Sequence, residues 1–499
     1  MIYLRSTYPF WVLLIAGAIF PLSLSPVNWW PVGIVSISLL SALLFQQSPK
    51  HLFIKACVYG FGLFITGVSW IYISLHEHGY MPVLLAAVAT ALFCLFLAAF
   101  FALPFLLCSL IPQSTTAWIL GFPSVWLLSE WLRSWLFTGF PWLFAGYMHT
   151  ETWLSGWAPI GGVLLLSLFS AFTATFLQQL IRQPKRTLNN ALCGSLVISI
   201  FLAGYFLRQV TWTEAKNKQL STVLIQPNIE LEIKWSSGKL GEVLEQLAEQ
   251  TSAYWDTDLI IWPESAIPAI PQQVNSYLNG IHQFALEQEA ALLTGIPTFD
   301  SATRSYYNSM LALGNAQGQY DKTRLVPFGE YVPMESMLRG LIRFFDLPMS
   351  SFSLGAPAQP LLQAKGEKIA TAICYEIVYP NLVADIAREA SMILTVSNDI
   401  WFGNSIGPQQ HMQMAQMRAL ENSKPMIRAT NSGISALVDH HGTIYRQIDQ
   451  FTRAELQGVV TPREGKTPFS QTGSRPIVIF CFICCLLLIN RARAERKLR

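Results

Sequence analysis

From Phe10 to Leu207 the chain is a succession of apolar stretches separated by short polar or proline-containing breaks. From about Thr211 to Gly473 the apolar residues come in short runs between polar ones, and Pro476 to Asn490 is apolar again. Crossing a bilayer as a helix takes roughly 20 apolar residues, so the pattern predicts seven spans, one large polar domain and a last span. The spans are expected over Phe10–Leu24, Trp30–Phe45, Phe53–Leu75, Pro82–Ile111, Trp118–Leu136, Ile160–Leu180 and Ala191–Phe206. The first and the last of these seven are short, and the fourth is long enough to tilt or to kink at Pro104.

Inside the polar domain the periodicity changes. "STVLIQ", "DLIIWP", "AALLTGIP", "SYYNSMLAL", "KIATAIC", "SMILTVSN" and "GISALVDH" read as strands. Between them "GEVLEQLAEQTSAYW", "QQVNSYLNGIHQFALEQ" and "QQHMQMAQMRALEN" carry helical periodicity. Strands alternating with helices imply an α/β domain with one core. The expected organisation is a membrane domain over residues 1–210, the α/β domain over 211–473, and a last span with a basic tail over 474–499.

Composition agrees with a membrane class: 52% of the 499 residues are hydrophobic and 13% charged. The formal charge of +3, with no basic run among aromatics, excludes a nucleic-acid partner. Charge placement supplies the orientation, because Lys and Arg near span ends favour the cytoplasmic side. Arg5 precedes span one, Lys50 and Lys55 lie between spans two and three, Arg182, Lys185 and Arg186 between six and seven, and Arg491, Arg493, Arg496, Lys497 and Arg499 follow the last span. Both termini are therefore expected in the cytoplasm and the polar domain outside, on the periplasmic face of a bacterial inner membrane. Arg5 before an apolar stretch also resembles the start of a signal peptide, but no small-residue cleavage site leads into a soluble chain, so the anchor is expected to stay.

Seven of the eight cysteines fall in or beside apolar spans, where cysteine is a small hydrophobe. Cys374 stands alone in the polar domain, in "AICYEIVYP", with no partner for an internal disulfide and no metal-ligand spacing around it. Two further polar islands follow strands or rigid turns: "IIWPESAIP", with Glu264 between Pro263 and Pro268, and "YDKTRLVPFGEYVP", with Lys322 and Glu330. Taken singly, each has a bland account: a buried thiol, a capping carboxylate, a solvated lysine, a Glu330–Arg324 pair. Together they supply a nucleophile, a base and a cation, the set that thiolate chemistry requires. No metal or organic cofactor is implied.

The order Glu264, Lys322, Cys374 in these contexts resembles the nitrilase superfamily, over roughly residues 220–460. The resemblance implies a four-layer αββα sandwich in which Cys374 is the nucleophile, Glu264 the general base and Lys322 the oxyanion stabiliser. The longer strings "WPESAIP", "LVPFGEYVP", "CYE" and "SNDIWFGNSIGPQQHMQMAQMRALE", set among membrane spans, are similar to the bacterial apolipoprotein N-acyltransferases. That family implies an acyl chain passing from the sn-1 position of a phospholipid, typically phosphatidylethanolamine, through a Cys374 thioester to the α-amino group of an S-diacylglyceryl cysteine at the N-terminus of an apolipoprotein. It also implies supporting roles for Glu330, Tyr375, Glu376 and Trp235. Arg324 stands where relatives often have histidine.

Other residues invite weaker expectations. Leu338, Leu341, Ile342, Phe345 and Leu347 form an apolar stripe in "MESMLRGLIRFFDLPM", with Arg339 and Arg343 at i, i+4 spacing. The stripe suggests a lid that dips into lipid; an ordinary packed helix is the alternative. Asn398 and Trp401 follow a strand and are candidates to line the cleft, and His411 invites a Cys–His reading that a core histidine would explain as well. Glu130 and Arg133, inside span five, are costly in lipid and expected to be a buried structural pair. The rival functions are a membrane-tethered amidase, in which water receives the acyl group, and a transporter or scaffold with an inactive outer domain.

Overall fold

The computed structural model describes residues 2–185, 187–236, 238–327, 329–331 and 352–497. The chain divides into two compact units: residues 1–76, 81–210 and 472–499 form a helical unit, and residues 77–80 and 211–471 an α/β unit.

In the helical unit each expected span contains a helix: Ile2–Ile19, Trp30–Leu44, Pro49–Gly67, Val83–Ala102, Thr115–Arg133, Ala158–Arg182, Thr187–Leu207 and Arg475–Lys497. Among the described residues, four helical segments are long and apolar enough to cross a membrane, or five if Pro49–Gly67 and Trp70–His78, bent by 55°, count as one span. At Pro104 the helix changes type: Val83–Ala102 tightens into a 3-10 segment, Leu103–Ser109, with Pro104 in its first turn. A proline there removes an intrahelical donor and clashes with the preceding turn. The helix Thr115–Arg133 is less apolar because it carries Glu130 and Arg133, both buried.

The α/β unit is built from strands β1 (Leu220–Gln226), β2 (Leu259–Ile261), β3 (Ala291–Asp300), β4 (Ser305–Gly314), β5 (Ala316–Gln317) and β6 (Gln319–Asp321). These are followed by β7 (Leu362–Ala364), β8 (Glu367–Ile373), β9 (Met392–Ser397), β10 (Met426–Thr430), β11 (Ser435–Val438), β12 (Ile444–Ile448) and β13 (Ala454–Val460). One sheet runs β13-β1-β2-β3-β4-β6, the other β12-β11-β10-β9-β8-β7-β5. Each has a parallel trio at its heart, β1-β2-β3 in one and β8-β9-β10 in the other, flanked by antiparallel strands.

Alternation along the strands sorts the side chains into layers. Leu220, Leu224, Leu259 and Ile261 of the first sheet meet Ile369, Ile373, Met392 and Leu394 of the second in one core between the sheets. Their neighbours Val223, Ile225, Ile260 and Trp262 face outward and pack with Val243, Leu247 and Leu278 of the helices Leu240–Thr251 and Asn275–Glu287. The second sheet is covered by Pro380–Ala387 and Gly407–Asn422. The result is helix, sheet, sheet, helix, the four-layer sandwich the sequence implied. Each inward leucine or isoleucine removes enough apolar surface from water to contribute about 1.5–3 kcal/mol. The order of layers also sets the chemistry: Glu264 lies just past the end of β2, Cys374 directly after β8, and Asn398 and Asp399 directly after β9. All sit at carboxyl ends of parallel strands, where such sheets place their ligands.

Candidate active site

Glu264 sits in a tight turn whose next residue, Ser265, has φ of +46°. The turn rests directly on β3 at Gly295, where a Cβ would come within 2.4 Å of both the Pro263 carbonyl oxygen and the Ser265 nitrogen. Only a residue without a side chain allows this approach, and the approach fixes the carboxylate. Glu264 is 7% exposed. Its Oε1 accepts from Asn308 Nδ2 at 2.7 Å and lies 3.4 Å from Lys322 Nζ, and its Oε2 accepts from the Asn398 backbone N–H at 2.8 Å. The buried Lys234 donates to its backbone carbonyl at 3.1 Å. Burial pushes the Lys234 ammonium down to about 8, with Glu264 opposing the shift.

Lys322 directly follows β6, and its N–H donates to the Asn308 carbonyl at 2.8 Å, so the β4–β6 pairing brings the two side chains together. Its ammonium is 2.8 Å from Glu330 Oε1, and Asn308 Nδ2 reaches the same oxygen at 3.0 Å. Glu330 Oε2 is held by the Val326 N–H at 2.8 Å. One lysine and one amide thus bridge two carboxylates. Burial works against the Lys322 charge, but Glu330 and Glu264 outweigh it and raise the pKa, so the ammonium stays protonated at physiological pH. Glu330 therefore pairs with Lys322, and the Glu330–Arg324 pairing gives way: the Arg324 guanidinium lies over the Tyr379 ring at 5.6 Å.

Cys374 has φ of +52°, a left-handed conformation that costs a residue with a Cβ on the order of 1 kcal/mol. This sharp turn between β8 and the 3-10 segment Cys374–Val378 lifts the thiol out of the strand direction. Burial is the largest influence on the thiol and raises its pKa; Glu264 adds to the rise and Lys322 opposes it. The resting group is a thiol, and a base is needed to turn it into the reactive thiolate.

The structure separates the remaining expected residues by role. Glu376 is fully buried and acts as a clamp: it accepts from the Ile373, Thr323 and Arg324 N–H groups at 2.8, 2.7 and 3.2 Å, and from Thr323 Oγ1 and the Tyr320 hydroxyl. It ties the turn at Cys374 to the loop that carries Lys322. Tyr375 is buried edge-on to Tyr379, with ring centroids 5.4 Å apart. Trp235 ends the short helix Leu231–Lys234 and adjoins Lys234, which reaches Glu264. Asn398 holds Glu264 through its N–H and accepts from Asn431 Nδ2 at 3.2 Å through its side chain. Trp401 is half-buried in the 3-10 segment that follows. His411 faces the Cys374 carbonyl and not its sulfur. Leu338, Leu341, Ile342, Phe345 and Leu347, with Arg339 and Arg343, lie outside the described residues. Asn308 and Lys234 are the residues the sequence reading missed; a polar residue inside the strand "SYYNSMLAL" was the available signal for the first.

Comparison with known proteins places these features in a family. Residues 16–176 match the model of the apolipoprotein N-acyltransferase N-terminal domain, and residues 223–462 that of the carbon-nitrogen hydrolases. The chain is 44% identical over 465 residues to an apolipoprotein N-acyltransferase of Pseudomonas aeruginosa, covering 92% of this chain and 91% of the relative. It is 42% identical over 487 residues to that of Pseudomonas syringae pv. tomato, covering 96% of each. A solved structure, Saccharomyces cerevisiae Nit3, a member of branch 10 of the nitrilase superfamily, aligns with 51% of this chain and 93% of its own at 17% identity and a TM-score of 0.38, a value that adds nothing to the family match. With near full-length identity above 40% and both of its parts matched in order, the chain belongs to the apolipoprotein N-acyltransferase family.

Proposed function

We propose that Cys374, Glu264 and Lys322 carry out the family's acyl transfer in two steps through a thioester on Cys374. In the first step Glu264 takes the thiol proton as the sulfur attacks the sn-1 ester carbonyl of a phospholipid, and Lys322 faces the oxyanion that forms. Collapse breaks the ester C–O bond, and protonated Glu264 returns the proton to the departing alcohol, giving a lysophospholipid. In the second step the α-amino group of the S-diacylglyceryl cysteine of an apolipoprotein loses a proton to Glu264 and attacks the thioester. Cys374 leaves as thiol and the acyl chain ends as an amide. Splitting one transfer into two easier ones is what a covalent intermediate provides.

One observation carries this reading: Glu264 and Lys322, both buried, are brought to 3.4 Å of each other, and their charges act on the Cys374 thiol. A raised thiol pKa makes a base obligatory, and Glu264 is the carboxylate whose charge acts most strongly on the sulfur. Lys322 stays positive through both steps, which suits a group that stabilises an oxyanion. Glu330 and Asn308 hold it in place. The hydrolytic alternative is disfavoured by the match to the N-terminal domain of the acyltransferases over residues 16–176, which a tethered amidase would not need.

The same reading makes phosphatidylethanolamine the donor, places the chain in the bacterial inner membrane with residues 211–473 on the periplasmic side, and keeps residues 1–210 and 474–499 as membrane-spanning parts with both termini cytoplasmic. The basic residues of the short loops support that orientation. Steady-state rates measured with both phospholipid and a diacylglyceryl-cysteine peptide varied test the reaction scheme. Parallel double-reciprocal lines and an N-acylated peptide are expected; intersecting lines, or free fatty acid as the main product, would overturn it.

A further inference from the structure

Behind Cys374 lies a second buried polar cluster that the proposed steps do not use. Ser397, the last residue of β9, donates its hydroxyl to Asp399 Oδ1 at 2.5 Å, and because Val396 before it pairs with Ile373 it stands next to Cys374 in the sheet, where it favours the thiolate. Arg428 Nη2 is 2.8 Å from Asp399 Oδ2 and 3.0 Å from His411 Nδ1. His411 Nε2 is 3.3 Å from the Cys374 carbonyl oxygen. All four side chains are buried, between 0 and 2% exposed. The close approach of Gly433, where a Cβ would sit 2.3 Å from Asp399 Oδ2, leaves the carboxylate no room to turn.

The hydrogens can be assigned by what each partner accepts. A carbonyl oxygen opposite Nε2 requires Nε2 to carry the proton, which in a neutral ring makes Nδ1 an acceptor. Arg428 Nη2 has two hydrogens, one for Asp399 and one for His411 Nδ1. Burial and Arg428 both push the His411 pKa below its ordinary value and keep the ring neutral, although Asp399, whose Oδ1 is 3.1 Å from Nδ1, opposes this. The observed bonds run Ser397 to Asp399, Asp399 to Arg428, Arg428 to His411, and His411 to the Cys374 carbonyl; with the thiol turned to Ser397 they close on themselves.

We propose that Ser397, Asp399, Arg428 and His411 are positioning residues for the acyl transfer, a closed ring of hydrogen bonds that holds Cys374 at its sulfur and its carbonyl together. The inference rests on Cys374 being the nucleophile. A left-handed cysteine persists only where its surroundings over-determine it, and the ring supplies two fixed points on one residue. Ser397 has a single hydrogen. In the resting state it goes to Asp399, which leaves an oxygen lone pair for the S–H. Once Glu264 has taken the thiol proton, the hydroxyl swings to the thiolate, while Asp399 keeps Arg428.

The test uses the full chain in detergent, with two readouts: single-turnover formation of the acyl-enzyme from phosphatidylethanolamine, and alkylation of Cys374 by iodoacetamide. Ser397→Ala removes one oxygen and is expected to slow both by about tenfold or more, with KM for the phospholipid unchanged. His411→Gln keeps an N–H for the carbonyl and is expected to stay within a few-fold of the parent, whereas His411→Leu falls as far as Ser397→Ala. Parent-like rates in Ser397→Ala, or His411→Gln as slow as a folded His411→Leu, would overturn the ring. Cys374→Ala separates the two claims, because an acyl-enzyme that still forms in that variant would sink the nucleophile assignment itself.

Discussion

Two of the places in this molecule that bury a carboxylate and a basic residue close together use them differently. In the helix Thr115–Arg133, Glu130 accepts from the Trp126 indole at 2.9 Å and from the Ala145 N–H at 2.7 Å, while Arg133 donates to the Trp142 carbonyl at 3.0 Å and lies over the Phe64 and Phe144 rings. Both side chains hold buried backbone, Arg133 at Trp142 and Glu130 at Ala145, where the 3-10 segment Ala145–His149 begins. In the α/β unit, Lys322 and Asn308 each reach both Glu264 and Glu330, and the Glu264 and Lys322 charges also act on a thiol that sits in a left-handed turn. Burial of a charged pair therefore does not mark chemistry. A reactive group held beside the pair, in a conformation that costs energy, does.

That contrast breaks most easily at Glu264. Glu264→Gln keeps the shape and the bond from Asn308 but removes the base, and acyl-enzyme formation should fall by about 10²–10⁴-fold with little change in thermal midpoint. Asn308→Ala removes the amide shared by the two carboxylates; one hydrogen bond to a charged group is worth about 1.5–3 kcal/mol, so a loss of about 10- to 100-fold in kcat is expected, with KM for phospholipid unaffected. Glu130→Leu should show the opposite profile. Leaving the Ala145 N–H without its acceptor costs about 1–3 kcal/mol of stability, seen as a lower melting temperature, while the rate per folded molecule stays near the parent's. A large drop in that rate would place Glu130 in the chemistry and erase the distinction.

The smallest effect concerns Lys234. Its folded pKa of about 8 lies below that of an exposed lysine, so the charged form is penalised in the fold. Below pH 8 both states carry the proton and the penalty is fully felt; between about 8 and 10.5 the folded chain gives up its proton first and the penalty fades. Lys234→Met should accordingly gain stability over the parent at pH 7 and lose that advantage near pH 10, as compared by thermal midpoints. An advantage that is independent of pH would mean that Lys234 titrates in the fold as it does in the unfolded chain.

The sequence carried these features unequally. Strands β2, β8 and β9 are buried on both faces and therefore read as continuous apolar runs, and the polar residues at their ends stood out against them. That contrast made Glu264 and Cys374 legible, and the stiff turn around Pro327 did the same for Glu330 and Lys322. Asn308 was hidden because a polar residue in an alternating strand ordinarily faces water; only the pairing of β4 with β6 turns it toward Glu264. Strand β12 is mostly exposed, so "IYRQI" offers little apolar signal, and it was not foreseen. The ring behind Cys374 gathers Ser397, Asp399, His411 and Arg428 from one strand end, a helix and a second strand, and its members acquire meaning only together. In the helical unit the apolar runs located the eight long helices, but the 3-10 segments Ala145–His149 and Trp153–Trp157 lay outside them, because the stretch after Arg133 contains Gly139 and Pro141 and reads as an ordinary loop.

The measurement closest to the central claim is the intact mass of the detergent-purified chain after incubation with phosphatidylethanolamine alone, beside Cys374→Ala. A mass gain of one fatty acyl group, absent in the alanine variant and discharged when a diacylglyceryl-cysteine peptide is added, is the predicted result. An acyl adduct that persists in Cys374→Ala, or N-acylated peptide formed at full rate by that variant, would contradict it.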